Sequence, residues 1–337
     1  MHTAESLEFL SWLSRSDVQY KENVDIASIS QIKAGGRFLL MVKPQNEIMF
    51  AEVIRQLNKR SIYFKPIGNL SNVLFRDGDI RSIAISTRNL TTVKNDGDGV
   101  LTVGAGVMLP AFAHKMVYEG YKGFAGIVGI PASVGGAVYM NASSYHDCIS
   151  QYLESVCCID PSGNIHHLEK KELGISWRHS AFHDRYHGWT IVSVSFRLEQ
   201  GDPATECERM VSVRQHRKSY QESGYPNLGS TFATTDIYGD LASHFYGYRL
   251  GFFLLRVLNR LIPGDKHHHF ALMARWFTKK YFNLQGNERI DYSRSTFNCI
   301  VNKGRADANE IIAFVEKTYN AINRTIKLEI ELVKDIE

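Results

Sequence analysis

Gly126-Ile-Val-Gly-Ile-Pro-Ala-Ser-Val-Gly-Gly-Ala-Val-Tyr-Met-Asn141 is the stretch on which the reading of this chain turns. Four glycines, one proline and several small residues fall within it. Side chains this small leave the backbone close to a ligand, so N–H groups can approach a pyrophosphate, and glycine supplies any turn with φ > 0. Such a run is either a nucleotide-binding loop or a tight structural crossover. The apolar residues that close it predict a loop entering a buried element, read as a strand over 137–139.

Two further glycine clusters lie upstream: Ile67-Gly68-Asn-Leu-Ser71-Asn72, which follows an expected strand, and Val103-Gly104-Ala-Gly106-Val107. None continues into the Gly-Lys-Ser/Thr of a Walker loop, and none is a clean G-x-G-x-x-G after a strand. Singly, each reads as a turn. Together, beside apolar strands, they favour a large phosphate-bearing cofactor.

The length of 337 residues predicts two or three domains. A net charge of +4 without a dense Lys/Arg run argues against a nucleic-acid partner. Cys148, Cys157, Cys158, Cys207 and Cys299 are odd in number and lack C-x-x-C spacing. They read as reduced thiols of a cytoplasmic protein, with no zinc site. No secretory leader and no apolar run of membrane-spanning length is visible.

Residues 1–24 are polar and mixed, read as a short helix and a linker. Next comes a β-α-β unit: a strand over 38–42, a helix over 47–59 from the spacing of Ile48, Val53, Ile54 and Leu57, and a strand over 62–66. Strands recur from 83 to 198, with a helix over 109–119 and a hairpin at Pro161-Ser-Gly163. After Gly201 come a charged helix over 205–221, an amphipathic helix over 306–323 and a closing strand over 326–333. The expectation is an α+β chain with more strand than helix. In 240–285, rich in aromatics and arginines, the expected element is a buried helix of the last domain; a membrane-surface helix is the alternative. His267-His268-His269 reads as a solvated triplet, because consecutive side chains diverge.

In this order the motifs resemble the UDP-N-acetylenolpyruvoylglucosamine reductase family of flavoenzymes, from about Ile26 to Glu331. Gly35-Gly36 before Phe38-Leu-Leu looks like the family's early glycine pair and strand, and 68–75 like its G-x-G-S-N-x-L. Gly129-Ile-Pro131 through Gly135-Gly136 to Asn141 looks like G-I-P-G-x-x-G-G-A-x-x-x-N-A, the most specific match. Trp177-Arg178-His-Ser180-Ala-Phe182 looks like Y-R-x-S-x-F, and Gly229-Ser230-Thr-Phe232 like G-S-x-F. Cys299-Ile-Val-Asn302 looks like F-I-V-N, and Leu328-Glu-Ile-Glu331-Leu like L-E-P-E-V.

The resemblance implies an α+β fold with a two-lobed FAD-binding domain of the vanillyl-alcohol-oxidase type and a C-terminal substrate-binding domain. The expected division is an extension over 1–24, lobes over 25–85 and 86–204, and a substrate domain over 205–337 that returns Glu331 to the active site. It also implies NADPH as reductant of FAD and a nucleotide-sugar substrate for peptidoglycan synthesis. The cofactor residues it implies are Gly68, Asn69, Ser71, Asn72, Gly126, Gly129, Ile130, Pro131, Ser133, Gly135, Gly136 and Asn141. The reaction needs a cation where enolate charge develops, a proton donor to the adjacent carbon and a carboxyl group near both. Arg178, Ser230 and Glu331 take these places. Alone, each has a plainer reading as a surface arginine, a turn serine and an edge-strand acid.

The chain departs from the pattern at Leu70 and Ala132, where the family has glycine. A branched side chain at 70 crowds a phosphate if the backbone there takes φ > 0. Ala233 replaces a lysine that helps hold the sugar nucleotide, and Thr296 replaces a histidine. These losses motivate a same-fold oxidoreductase acting on another nucleotide sugar or glycan. A cofactor-free binding protein ranks last, because all three reactive positions are retained. The sequence leaves the oligomeric state open.

Overall fold

A computed structural model describes residues 4–261 and 266–334. Helix α1 (Ala4–Arg15) buries Phe9 and Leu13. Strand β1 (Gln19–Asp25) then pairs antiparallel with β2 (Arg37–Lys43) from Gln19 to Asp25, so the expected linker is an edge of the first sheet. Its polar side chains hid it, because an edge strand needs hydrogen-bonding partners more than an apolar face. The short helix α2 (Ile26–Ile29) joins the two strands, capped by the Asp25 side chain.

Helix α3 (Glu47–Lys59) starts where Asn46 accepts from the Met49 N–H, and it buries Phe50, Val53, Ile54 and Leu57. Strands β3 (Phe64–Ile67), β4 (Val73–Phe75), β5 (Asp79–Ile80) and β6 (Ile83–Ser86) follow. The first sheet runs β1-β2-β6-β3, with β5 beside β2. Because β2, β6 and β3 are parallel, loop 68–72 opens at the carboxyl end of the sheet, where open parallel sheets hold ligands.

The second sheet, β12-β11-β13-β8-β7, is antiparallel throughout. It is built from β7 (Val93–Gly97), β8 (Val100–Gly104), β11 (Leu153–Ile159), β12 (Ile165–Glu169) and β13 (Thr190–Arg197). Between β8 and β11 lie α4 (Leu109–Tyr118), α5 (Val134–Tyr139) and the small hairpin β9 (Ser143–Ser144)–β10 (Asp147–Cys148). The expected strand over 137–139 is the helix α5 instead. Ser133 caps it by accepting from the Gly136 N–H, and Gly135 packs where a Cβ would lie 2.6 Å from the Ala105 Cβ. The apolar run is too short to reveal its period, so burial alone imitates a strand.

The last part contains α6 (Pro203–Tyr220), α7 (Ile237–His244), α8 (Tyr246–Leu261), α9 (Lys266–Tyr281), the hairpin β14 (Ile290–Tyr292)–β15 (Ile300–Asn302), α10 (Ala308–Ala321) and β16 (Glu331–Val333). Only three residues of the closing strand are regular, and they pair in parallel with β4 of the first lobe. Helix outweighs strand, contrary to expectation, largely because α7 to α9 fill 237–281. The expectation of a buried helix there also fails. Of α8, only Tyr248 and Phe252 are buried, and most of its large apolar side chains face outward. Among the described residues no helix is long and apolar enough to cross a membrane.

Candidate active site

A cavity of about 960 Å³ lies between the two sheets and the last part of the chain. Loop 68–72 forms one wall, clamped at both ends. Asn69 Nδ2 donates to the Pro131 carbonyl at 2.7 Å, and Asn72 Nδ2 to the Glu329 carbonyl at 2.8 Å. Among the described residues, the five N–H groups from Gly68 to Asn72 donate to no protein acceptor, and all five residues line the cavity. Leu70 takes φ +50°, the left-handed conformation that turns successive N–H groups into an anion-binding concavity. Its side chain does not fill that concavity. It is 5% exposed and packs in the cluster with Ile67, Phe75 and Ile80.

The glycine-rich stretch supplies the facing wall. Gly129, Ile130, Pro131, Ser133, Gly135 and Gly136 line the cavity together with Gly68, Asn69, Ser71 and Asn72. Gly129 leaves room for the Arg217 guanidinium: a Cβ there would lie 2.1 Å from Arg217 Nη1, so the arginine would have to shift. Gly126 and Asn141 are not among the lining residues. Gly126 donates its N–H to Asp147 Oδ2 at 2.6 Å, and a Cβ on it would lie 2.2 Å from the Ser144 carbonyl. Asn141 Nδ2 donates to the Ser176 carbonyl at 2.6 Å. Ser176 and His179 exchange backbone hydrogen bonds around Arg178, which has φ +53°. Asn141 therefore holds the turn that presents Arg178.

Arg178, Ser230 and Glu331, up to 153 positions apart in the sequence, all line the same cavity. Segment 327–333 explains how. Its start pairs with the loop after Ser230, through Ala233 N–H to Lys327 O at 2.8 Å and Glu329 N–H to Thr231 O at 2.9 Å. Its end pairs with β4. Glu329 and Glu331 are thus strung between the Ser230 loop and the first lobe. Arg178 pairs with Glu329, not Glu331: its Nε lies 3.2 Å from Glu329 Oε1, without the alignment of a hydrogen bond. Burial raises the Glu329 pKa, against the pull of Arg178. Glu331 bonds Lys65 Nζ at 2.7 Å. Burial, helped by the charges of Glu331 and Asp184, pushes the phenol of Tyr139 up to about 12, so this cavity residue stays protonated. The Ser230 hydroxyl has no protein partner among the described residues.

The sequence reading missed Glu329, Lys65 and Arg217. Glu329 was findable, since it precedes Glu331 by two and alternation puts both on one side of an extended segment. Lys65 and Arg217 carry no local signal. Arg217 donates to Ser144 Oγ at 2.8 Å and to the Gly126 carbonyl at 3.3 Å, and burial lowers its pKa. Of the Lys and Arg side chains on the cavity, it is the one with no carboxylate partner among the described residues. Ala233 is not a lining residue, whereas Thr296 is. Among the described residues no group of three or more His, Cys, Asp or Glu could hold a metal; the side chains of His267 and His268 lie outside them.

A family model described as an FAD binding domain matches residues 38–169, the region that supplies both glycine-built walls. The UDP-N-acetylenolpyruvoylglucosamine reductase of Streptococcus pneumoniae (strain Hungary19A-6) is 33% identical over 248 residues, covering 72% of this chain and 81% of the relative. The chain belongs to the UDP-N-acetylenolpyruvoylglucosamine reductase family. The reductase of Clostridium novyi (strain NT) is 29% identical over 312 residues, covering 93% of this chain and 90% of the relative. The crystal structure of the Thermus caldophilus enzyme of this family superposes with a TM-score of 0.67 at 22% identity, over 94% of this chain and 98% of that one. At that score the two chains share their fold.

The cavity fits the family's FAD. N–H groups of 68–72 without a protein acceptor among the described residues face a cluster of glycines whose lack of side chains keeps the backbone accessible, and the Arg217 guanidinium, without a carboxylate partner among the described residues, completes an anion-binding wall.

Proposed function

We propose that this chain is an FAD-dependent reductase that uses NADPH to reduce the enolpyruvyl group of UDP-N-acetylglucosamine enolpyruvate to UDP-N-acetylmuramate. The observation that carries the reading is the meeting of Arg178, Ser230 and the two carboxylates of 329 and 331 on the cavity that the free N–H groups of 68–72 also line. FAD held against the backbone of 68–72 and 129–136 would supply, after reduction by NADPH, the hydride that the vinyl carbon needs. The protein's part is positioning and proton supply. Arg178, at the end of its turn, faces the substrate carboxylate and stabilises charge as the adjacent carbon takes on carbanion character. Ser230 Oγ, free of protein partners, gives that carbon a proton. A serine hydroxyl is a weak acid, so the Glu331–Lys65 pair serves it by stabilising charge nearby and returning the proton. Arg217 holds a phosphate of the substrate or cofactor.

Ala233 departs from the family pattern and is not a cavity residue; the muramate reading is supported by the relatives at 29% and 33% identity. The proposal divides the chain near residues 85 and 204, with residues 4–25 joined to the first lobe because β1 pairs with β2. It places the reaction in the cytoplasm, in keeping with five free cysteines.

Two half-reactions test it. Bleaching of the flavin by NADPH, then its reoxidation by the enolpyruvyl substrate without oxygen, is the expected result. A yellow protein that NADPH reduces but this substrate does not reoxidise overturns the substrate assignment.

A further inference from the structure

Helix α8 is packed on one side only. Its inner face buries Tyr248 and Phe252, and Gly247 and Gly251 let α9 approach closely, with Phe277 and Tyr281 against them. Its outer face carries Leu250, Phe253, Leu254, Leu258 and Leu261, which are 52%, 63%, 59%, 51% and 76% exposed. At about 100° per residue these positions form one continuous stripe. Isolated apolar residues on a surface are ordinary, but a stripe of this length marks a contact. On α9, Leu272 and Trp276 are exposed as well.

Charge says what the contact is. From 246 to 281 the sequence holds seven Lys and Arg against Asp265 alone, a net +6. The whole chain carries +4, so the remainder sums to −2. Arg249, Arg256 and Arg260 fall within about 40° of one another along one edge of the stripe. None has a carboxylate partner among the described residues, and Arg256 lies over the Phe252 ring. Helix α8 itself contains no Asp or Glu that the same helix of a second copy could offer them. An apolar stripe edged with arginines, bearing aromatics and too short to span, matches an anionic bilayer surface.

The unit is also joined to the substrate side of the cavity. The chain leaves at Phe232 and returns at Asn298, whose side chain accepts from the Phe232 N–H at 2.8 Å and donates to its carbonyl at 2.9 Å. Asn298 itself lines the cavity.

We propose that the outer face of α8, extended by Leu272 and Trp276, docks the enzyme on a bilayer bearing anionic headgroups, lying in the interface without crossing it. The test is flotation of the FAD-loaded full chain with vesicles of phosphatidylcholine alone or containing about a third phosphatidylglycerol. The anionic vesicles are expected to bind roughly tenfold more tightly or better. L254S/L258S should abolish flotation, and R249Q/R260Q should remove the preference for phosphatidylglycerol. Both variants should keep the flavin spectrum and turnover, since none of these residues lines the cavity. Absence of binding to the anionic vesicles overturns the proposal, as does binding that neither variant weakens. So does a dimer dissolved by L254S/L258S without vesicle binding, which would assign the face to a second copy.

Discussion

The two sides of the cavity are built in opposite ways. The side proposed to hold the cofactor is made of backbone from two short segments, 68–72 and 129–136, whose neighbours along the chain create most of the geometry. The side proposed to meet the substrate is made of side chains from Arg178, Ser230 and 329–331, brought together by pairings between strands and loops far apart in the sequence. A site built from backbone tolerates changes in side-chain identity so long as φ and the close approaches survive. A site built from side chains tolerates none in its reacting groups.

Ser230→Ala sharpens the contrast most. The half-reaction with substrate should slow by about 10² to 10⁴-fold, with flavin reduction by NADPH unchanged, in stopped-flow absorbance. An unchanged substrate half-reaction would remove Ser230 as proton donor. Next comes Gly126→Ala, on the side where identity should not matter unless a Cβ collides. The Ser144 carbonyl at 2.2 Å is backbone and cannot swing away, so a loss of about 3 kcal/mol is expected on thermal or urea unfolding.

Leu70→Gly tests the backbone argument directly. Relief of the left-handed conformation returns about 1–2 kcal/mol. Loss of a buried leucine costs about 2–5 kcal/mol. The net is a protein destabilised by about 0–4 kcal/mol that still binds FAD. Loss of flavin would break the claim that this loop recognises it by backbone alone.

The smallest effect concerns the hairpin tip at Asp160, beside the lining residue Pro161. Burial opposes ionisation of Asp160, but N–H groups of Asn164 and Ser162, the Asn164 side chain and His166 outweigh it and lower its pKa to about 2. A depressed carboxylate stabilises the fold above its ordinary pKa, and that contribution is lost as pH falls toward 2. It should be on the order of 1 kcal/mol after solvent screening, seen as a shallower acid-unfolding profile in Asp160→Asn.

The cofactor side was legible because its requirements are local. Gly129, Gly135 and Gly136 stand where a Cβ would strike something or where the helix start must be close-packed, and that need is written as glycine. Even there, α5 reads as a strand in the sequence, since six residues hold too little periodicity to tell the two apart. Gly126 and Asn141 belonged to the motif but hold it from behind. On the substrate side, the order of motifs located Arg178, Ser230 and Glu331. It could not reveal that Arg178 pairs with Glu329, or that Lys65 reaches Glu331 across 266 positions. The same limit applied to α8, where apolar composition suggested burial and the packing left half of the helix outside.

By itself, the sequence determined the flavin fold, the glycine-built walls and the residues proposed to react, because backbone conformation and chemical type belong to single residues. Tertiary structure alone decided which carboxylate meets which cation, which glycines line the cavity and which face of α8 meets solvent. Those are properties of pairs of residues, and the distance between two residues in space is not encoded in either one.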